Sequence, residues 1–371
     1  MQPFLLSLWA LVDLVGLHTH FPRDAKELRH AQVTLPNITI IATGGTIAGA
    51  ANSSTRTTDY EAGALHVNTI TQDVNGTWEN DARVYDEQLM NVDSLDINSS
   101  LAISISQRVN EVANDPHRQG IVVLLGTHLM SEIATLLALT VTSHKPIVIT
   151  GAILPNTAPS ADGPGHIVAA VKTAAATGWS SEGREVVIVM QDKIMAPWGT
   201  KKENNRFLPG PRSLLGHILN FEPFFRWGPG LCAPMKFNIS GMPPGVPLPV
   251  VEFVTAHQDS SAYQVEAVIA GGAKGIVLVG YGDGYWPATS AQQLKKLADE
   301  SDVVMVFAAE GQLEYVANAR VGAGIPGGDW NPRQLRILLQ LLIWKGADKE
   351  EIRRAVLKSP GPCPSHGIQG N

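Results

Sequence analysis

Along the chain, short uninterrupted apolar runs alternate with segments whose apolar residues recur every three or four positions. Ile38–Ala42, Ile121–Leu125, Pro146–Thr150 and Glu185–Met190 are of strand length and lack polar alternation, the pattern of strands buried on both faces. Between them, Leu101, Ile105, Val109 and Val112 share one helical face, and Ile133, Leu136 and Leu137 share another. An alanine-rich stretch from Ile167 to Ala176 predicts a third helix. Strands and helices in alternation predict an α/β fold, its larger amino-terminal domain built on a parallel-rich sheet flanked by helices.

The pattern breaks between residues 226 and 249, where Pro229, Pro234, Pro243, Pro244, Pro247 and Pro249 predict a linker. A second, smaller α/β unit follows. Strands Val250–Val254, Gly275–Val279 and Val303–Phe307 alternate with helices Ala262–Ala270 and Ser290–Ala298. Its closing helix has a marked start, with Asn331 as cap and Pro332 at the first helical position. The expected organisation is a leader over 1–34, an amino-terminal domain over 35–225, the linker, and a carboxy-terminal domain over 250–371.

Pro3–Leu17 is mostly apolar, broken by Asp13, too short to span a bilayer and suited to the core of a secretory signal. Five sequons, at Asn37, Asn52, Asn75, Asn98 and Asn238, point the same way, toward a secreted or extracytoplasmic glycoprotein. Asn37, at the start of a buried strand, is a poor place for a glycan. A cytoplasmic chain is the alternative, since no basic residue precedes the apolar stretch and no small-x-small site follows it. No later run is long enough to span a membrane, so the mature form is expected to be soluble.

Composition narrows the partners. With 44% hydrophobic and 17% charged residues the chain can bury full cores. A net charge of −6 without a basic cluster argues against nucleic acid. Two cysteines, Cys232 and Cys363, exclude a disulfide framework and leave a single bridge open. The eleven histidines show no zinc-ligand spacing, so no metal is expected. Neither the turn after the first strand nor Gly280-Tyr-Gly282-Asp-Gly284 has the spacing of a nucleotide loop, so no cofactor is expected.

In parallel α/β sheets, ligands bind beyond the carboxyl ends of the strands. Thr43-Gly44-Gly45-Thr46 and Gly126-Thr127-His128 stand there. Taken alone, Thr43-Gly44-Gly45-Thr46 reads equally well as a tight turn.

The longer context adds a resemblance. Leu35-Pro-Asn-Ile-Thr-Ile-Ile-Ala-Thr-Gly-Gly-Thr-Ile-Ala-Gly49 resembles the amino-terminal signature of the bacterial-type (type II) L-asparaginases. The likeness continues in order through Tyr60 and Gly63, Asn91-Val-Asp-Ser-Leu95, Lys145-Pro-Ile-Val-Ile-Thr-Gly-Ala152, Ser160-Ala-Asp-Gly-Pro164 and Asn331-Pro332. It implies hydrolysis of the asparagine side-chain amide to aspartate and ammonia, without a cofactor, by a homo-oligomer (dimer or tetramer) acting on a small amino-acid amide.

By that resemblance Thr46 is the nucleophile, Tyr60 bonds its hydroxyl, and Thr127 with Lys202 completes the catalytic set. Lys201 is adjacent to Lys202, and counting alone leaves a slip of one residue open. Ser94 matches the binder of the substrate's α-carboxylate. Three positions depart from the family. The aspartate that follows the second threonine is His128 here, the glutamine beside the serine is Leu95, and an arginine of the Gly-Ala-x-Arg-Pro segment is Leu154. The lost aspartate normally receives the substrate's α-ammonium group, and histidine supplies no fixed negative charge. His128 therefore enters as a substrate-site residue that weakens or redirects the activity. Two other classes stay open at this point: a catalytically silent homologue that binds a small ligand, and an amidase for substrates without an α-ammonium group.

Overall fold

The computed structural model describes residues 34–176, 185–226, 231–311, 314–318 and 324–362. The apolar leader and Cys363 lie outside them. In chain order the strands are β1 (Asn37–Gly44), β2 (Arg83–Val92), β3 (Gly120–Leu124), β4 (Ile147–Thr150), β5 (Val186–Met190), β6 (Lys193–Met195), β7 (Lys201–Glu203) and β8 (Arg206–Leu208). They continue with β9 (Leu214–Leu219), β10 (Glu222–Phe225), β11 (Leu231–Cys232), β12 (Val251–Thr255), β13 (Gly275–Gly280), β14 (Val304–Ala309), β15 (Ile325–Pro326) and β16 (Gly361–Pro362). The helices are α1 (Val67–Thr71), α2 (Ser99–Asn114), α3 (Met130–Thr140), α4 (Gly163–Ala175), α5 (Tyr263–Ala270), α6 (Ala288–Glu300), α7 (Pro332–Trp344) and α8 (Lys349–Val356).

The amino-terminal sheet has the order β10-β9-β6-β5-β4-β3-β1-β2. From β5 through β4, β3 and β1 to β2 all pairings are parallel. The β6, β9 and β10 side is antiparallel. The continuous apolar runs are the central parallel strands: Ile38, Ile40, Ile41 and every residue from Ile121 to Leu124 are fully buried. Each such side chain contributes roughly 1.5–3 kcal/mol on leaving water. The smaller sheet, β12-β13-β14-β15, is parallel throughout. Its two faces are covered by different cores, one of them shared with α7, which also packs on α3. The fold is thus a larger and a smaller α/β domain.

Two local expectations shift. The alanine-rich helix begins at Gly163, ahead of Ile167, because Pro164 fits its first turn. The proline-rich stretch is not bare spacer: it holds β11, and its Phe237, Ile239, Met242 and Leu248 are buried in the main core. Phe237 N donates to Leu139 O at the end of α3 (2.8 Å). Asn331 caps α7, its Oδ1 accepting from Arg333 N at 3.0 Å. Cys232 is disulfide-bonded, and β11 pairs antiparallel with β16.

Candidate active site

The site forms where β1, β2 and β3 end. Gly44 and Gly45 have φ of 103° and 78°, a region that L side chains avoid, and they turn the chain sharply after β1. A Cβ at Gly45 would lie 2.3 Å from Gly126 Cα, so the turn after β1 and the turn after β3 meet backbone against backbone. Only glycine allows that approach. Thr46 and Thr127, the next residue in each turn, are therefore delivered from touching loops, and both are buried.

Thr46 Oγ1 lies 2.7 Å from Tyr60 Oη. Tyr60 closes the exposed segment that begins at Asn52. That segment is tied at its base by the Ala50–Glu61 pair, which exchanges two backbone hydrogen bonds (3.0 and 2.9 Å). A Cβ at Gly49 would fall 2.8 Å from the Tyr60 ring, so the glycine leaves the space through which the phenol reaches Thr46.

Lys202 Nζ donates to Thr127 Oγ1 at 2.8 Å. Strand alternation decides between the two adjacent lysines. Lys202 turns to Thr127, while Lys201 shares the opposite face with Glu203 and pairs with it at 3.0 Å. The β7–β8 hairpin turns on Asn204 and Asn205, both left-handed (φ 49° and 58°), the type of turn that matches strand twist. It is docked by Gln191, whose Nε2 donates to Asn205 O (2.9 Å) and whose Oε1 accepts from Phe207 N (3.0 Å). Phe207 anchors it in the core. Burial pushes the Lys202 ammonium below the ordinary lysine value, and the Asp93 carboxylate opposes that shift.

Ser94 is buried, and its Oγ accepts from His128 N at 3.3 Å. The His128 residue itself is exposed, as is Leu95. Thr127 and His128 thus present opposite environments, one inside and one outside. Leu154 offers its backbone N to Asp162 Oδ1 (2.9 Å), which also holds Ile153 N (3.1 Å). His166 braces the same exit from β4, its Nδ1 2.9 Å from Gly151 O. A separate cleft of about 380 Å³ near β7 is lined by Trp198, Gly199, Arg212, Glu314 and Tyr315 among others. Among the described residues no group of three or more His, Cys, Asp or Glu is placed to hold a metal ion.

All six residues named from the sequence lie at this junction or in contact with it, in three pairs: Thr46 with Tyr60, Thr127 with Lys202, and Ser94 with the His128 backbone. Sequence reasoning passed over Asp93. The available signal was a carboxylate directly before Ser94, but nothing local tells that its Oδ1 caps the turn by accepting from Leu95 N at 3.0 Å.

Comparison with known proteins agrees with this arrangement of elements. The family model described as asparaginase, N-terminal, matches residues 37–210. The model of the glutaminase/asparaginase C-terminal domain matches residues 250–356. "Probable L-asparaginase 1" of Schizosaccharomyces pombe is 34% identical over 327 residues, covering 86% of this chain and 88% of that protein. "Probable L-asparaginase periplasmic" of Haemophilus influenzae is 32% identical over 361 residues, covering 94% and 98%. The crystal structure of a probable cytoplasmic L-asparaginase from Campylobacter jejuni superposes with a TM-score of 0.80 at 28% identity, over 87% of this chain and 100% of that one. The chain belongs to the asparaginase family.

Proposed function

We propose that the protein hydrolyses L-asparagine to L-aspartate and ammonia through a threonyl acyl-enzyme. The observation that carries this reading is the pair of buried threonine hydroxyls on touching strand-end turns, each hydrogen-bonded to a side chain able to exchange a proton. A threonine hydroxyl is a weak nucleophile at neutral pH and needs such a partner. Thr46 Oγ1 attacks the side-chain amide carbon while its proton passes toward Tyr60. The tetrahedral adduct collapses, the C–N bond breaks, and the nitrogen leaves as ammonia after taking a proton. Water then attacks the ester carbon; the acyl C–O bond breaks, releasing aspartate and restoring the Thr46 hydroxyl.

Thr127 and Lys202 supply the second proton path. Desolvation favours the neutral amine, and a neutral amine can accept the proton of the attacking water. Ser94, whose hydroxyl hydrogen remains free to donate while its oxygen accepts from His128 N, receives the α-carboxylate. His128 stands at the rim as a substrate-site residue. The fold division at residues 226–249 and a homo-oligomeric state belong to the same reading, the second testable by light scattering. Extracytoplasmic residence is supported by the disulfide at Cys232, because such bonds persist in oxidising compartments. The periplasmic and cytoplasmic relatives named above bracket the two alternatives.

The test is ammonia release from asparagine, glutamine and simple amides without an α-ammonium group. Turnover of asparagine, abolished by Thr46→Ala, is the expected result. An unchanged rate in that variant removes Thr46 from the nucleophile role. Silence of the native chain on every amide makes it a binding homologue instead.

A further inference from the structure

Lys202 is carried by a hairpin that stands apart from the main sheet. β7 and β8 form a two-stranded sheet of their own, and such a hairpin is marginally stable unless something else holds it. Gln191 supplies a clamp. Its Oε1 accepts from the backbone N of Phe207, the residue directly across the hairpin from Lys202. Its Nε2 donates to Asn205 O in the turn. Gln191 itself sits in a left-handed turn (φ 50°) after β5, and its backbone N donates to His166 Nε2 at 3.1 Å.

His166, on α4, is the buried end of this clamp. A backbone N–H can only donate, so Nε2 is the acceptor and the ring proton belongs on Nδ1. From Nδ1 it is donated to Gly151 O at 2.9 Å. The Asp162 carboxylate, 3.7 Å from Nδ1, favours the same tautomer. Gly151 in turn packs on the turn that carries Thr127: a Cβ there would lie 2.3 Å from Leu125 O and 3.3 Å from Thr127 Cγ2. The contacts close a circuit. It runs from Thr127 through Gly151, His166, Gln191 and Phe207 to Lys202, and returns through the 2.8 Å bond from Lys202 Nζ to Thr127 Oγ1.

We propose that His166 is a positioning residue for hydrolysis: its imidazole ties the Thr127 turn to the Lys202 hairpin and sets the spacing of the pair that activates water. This inference rests on the asparaginase reading above. Thr46 and Tyr60 come from the end of β1 and the loop beyond it, outside the circuit. Loss of the imidazole therefore slows hydrolysis of the acyl-enzyme and spares its formation. No motif marks His166 in the sequence, where it is one polar residue at the start of an alanine-rich helix.

Three substitutions separate the two bonds. In His166→Gln, Oε1 falls near the place of Nε2 and can still accept from Gln191 N. In His166→Asn the shorter amide keeps a donor for Gly151 O but cannot reach Gln191 N, and His166→Phe keeps neither bond. On asparagine, His166→Asn and His166→Phe should lose at least about tenfold in kcat with a matching fall in KM, leaving kcat/KM within about threefold. Both should release a burst of ammonia before the slow phase, the mark of an accumulating acyl-enzyme. His166→Gln should keep kcat within about threefold of native. A fall in kcat at unchanged KM, as a merely less folded chain would give, overturns the proposal, and so do equal rates in His166→Gln and His166→Asn.

A readout in the free protein fails separately from the functional reading. The imidazole nitrogen NMR shifts of His166, assigned with His166→Gln, should place the proton on Nδ1. The resonance of Lys202 labelled at Cε should move in His166→Asn and hold its native position in His166→Gln. A proton on Nε2, or a Lys202 resonance that is native in both variants, overturns the proposal whether or not the chain turns over asparagine.

Discussion

Replacing Gly45 by alanine puts the junction between the two threonine turns to a direct test. The added Cβ would lie 2.3 Å from Gly126 Cα and 2.6 Å from Gly126 N, both backbone atoms that no rotamer change can move aside. Overpacking of this kind costs about 1–3 kcal/mol. Gly45 also holds φ 78°, which adds about 1–2 kcal/mol for a residue with a side chain. The sum, about 2–5 kcal/mol, corresponds to a drop of roughly 4–20 °C in the thermal midpoint for a domain of this size. Relief by separating the turns would move Thr46 away from Thr127, so kcat should fall more than KM changes. Gly76→Ala is the control: nothing lies within 4 Å of its Cβ position, and its midpoint should match the native chain. Differential scanning calorimetry and ammonia release read both quantities. A Gly45→Ala protein melting within about a degree of the native one, with unchanged kcat, would refute the close approach.

Two further outcomes follow from charges in the structure. Because burial lowers the Lys202 pKa, and the neutral amine is the proton acceptor, activity should rise with pH through a limb below the ordinary lysine range. Lys202→Arg, which cannot deprotonate, should remove the limb and most of kcat; a rate–pH profile identical to native contradicts that role. Glu132 is buried in the first turn of α3, and desolvation raises its pKa against the opposing Arg333 at 3.2 Å. Its folded-state pKa lies above the unfolded one, so its contribution favours folding at low pH and is lost as pH rises through the folded value. Glu132→Gln should therefore flatten the fall in stability on the neutral side. Arg333→Ala should cost about 1–3 kcal/mol by leaving the carboxylate unpaired, as urea unfolding would show. The reverse order of effects would rule this out.

The parallel strands could be read from the chain because both faces of β1, β3, β4 and β5 are buried, which leaves apolar runs interrupted by little but buried threonines such as Thr39 and Thr150. β2 could not. It is an edge strand with most residues at least partly exposed, and Arg83, Asp86 and Glu87 interrupt any apolar run. The antiparallel strands from β6 to β10 were equally hidden. They turn on Gln191-Asp192, Asn204-Asn205 and Asn220-Phe221, left-handed pairs without the glycine that marks such turns. Within the site, Thr46 and Thr127 announce themselves by glycines at strand ends. Which lysine meets Thr127 depends on strand faces and on the contact of distant turns.

The Ala50–Glu61 bridge has a consequence for how this chain can vary. It closes the loop beneath its tip, so Tyr60 is held by the clasp and not by the residues from Asn52 to Asp59. Lengthening a flexible loop is inexpensive, about 0.6 kcal/mol for each doubling. The tip can therefore be rebuilt, extended or tagged with a probe while the phenol stays on Thr46. Anchor and tip are separable modules: evolution and engineering can retailor the surroundings of the reacting hydroxyl without touching the group that holds it.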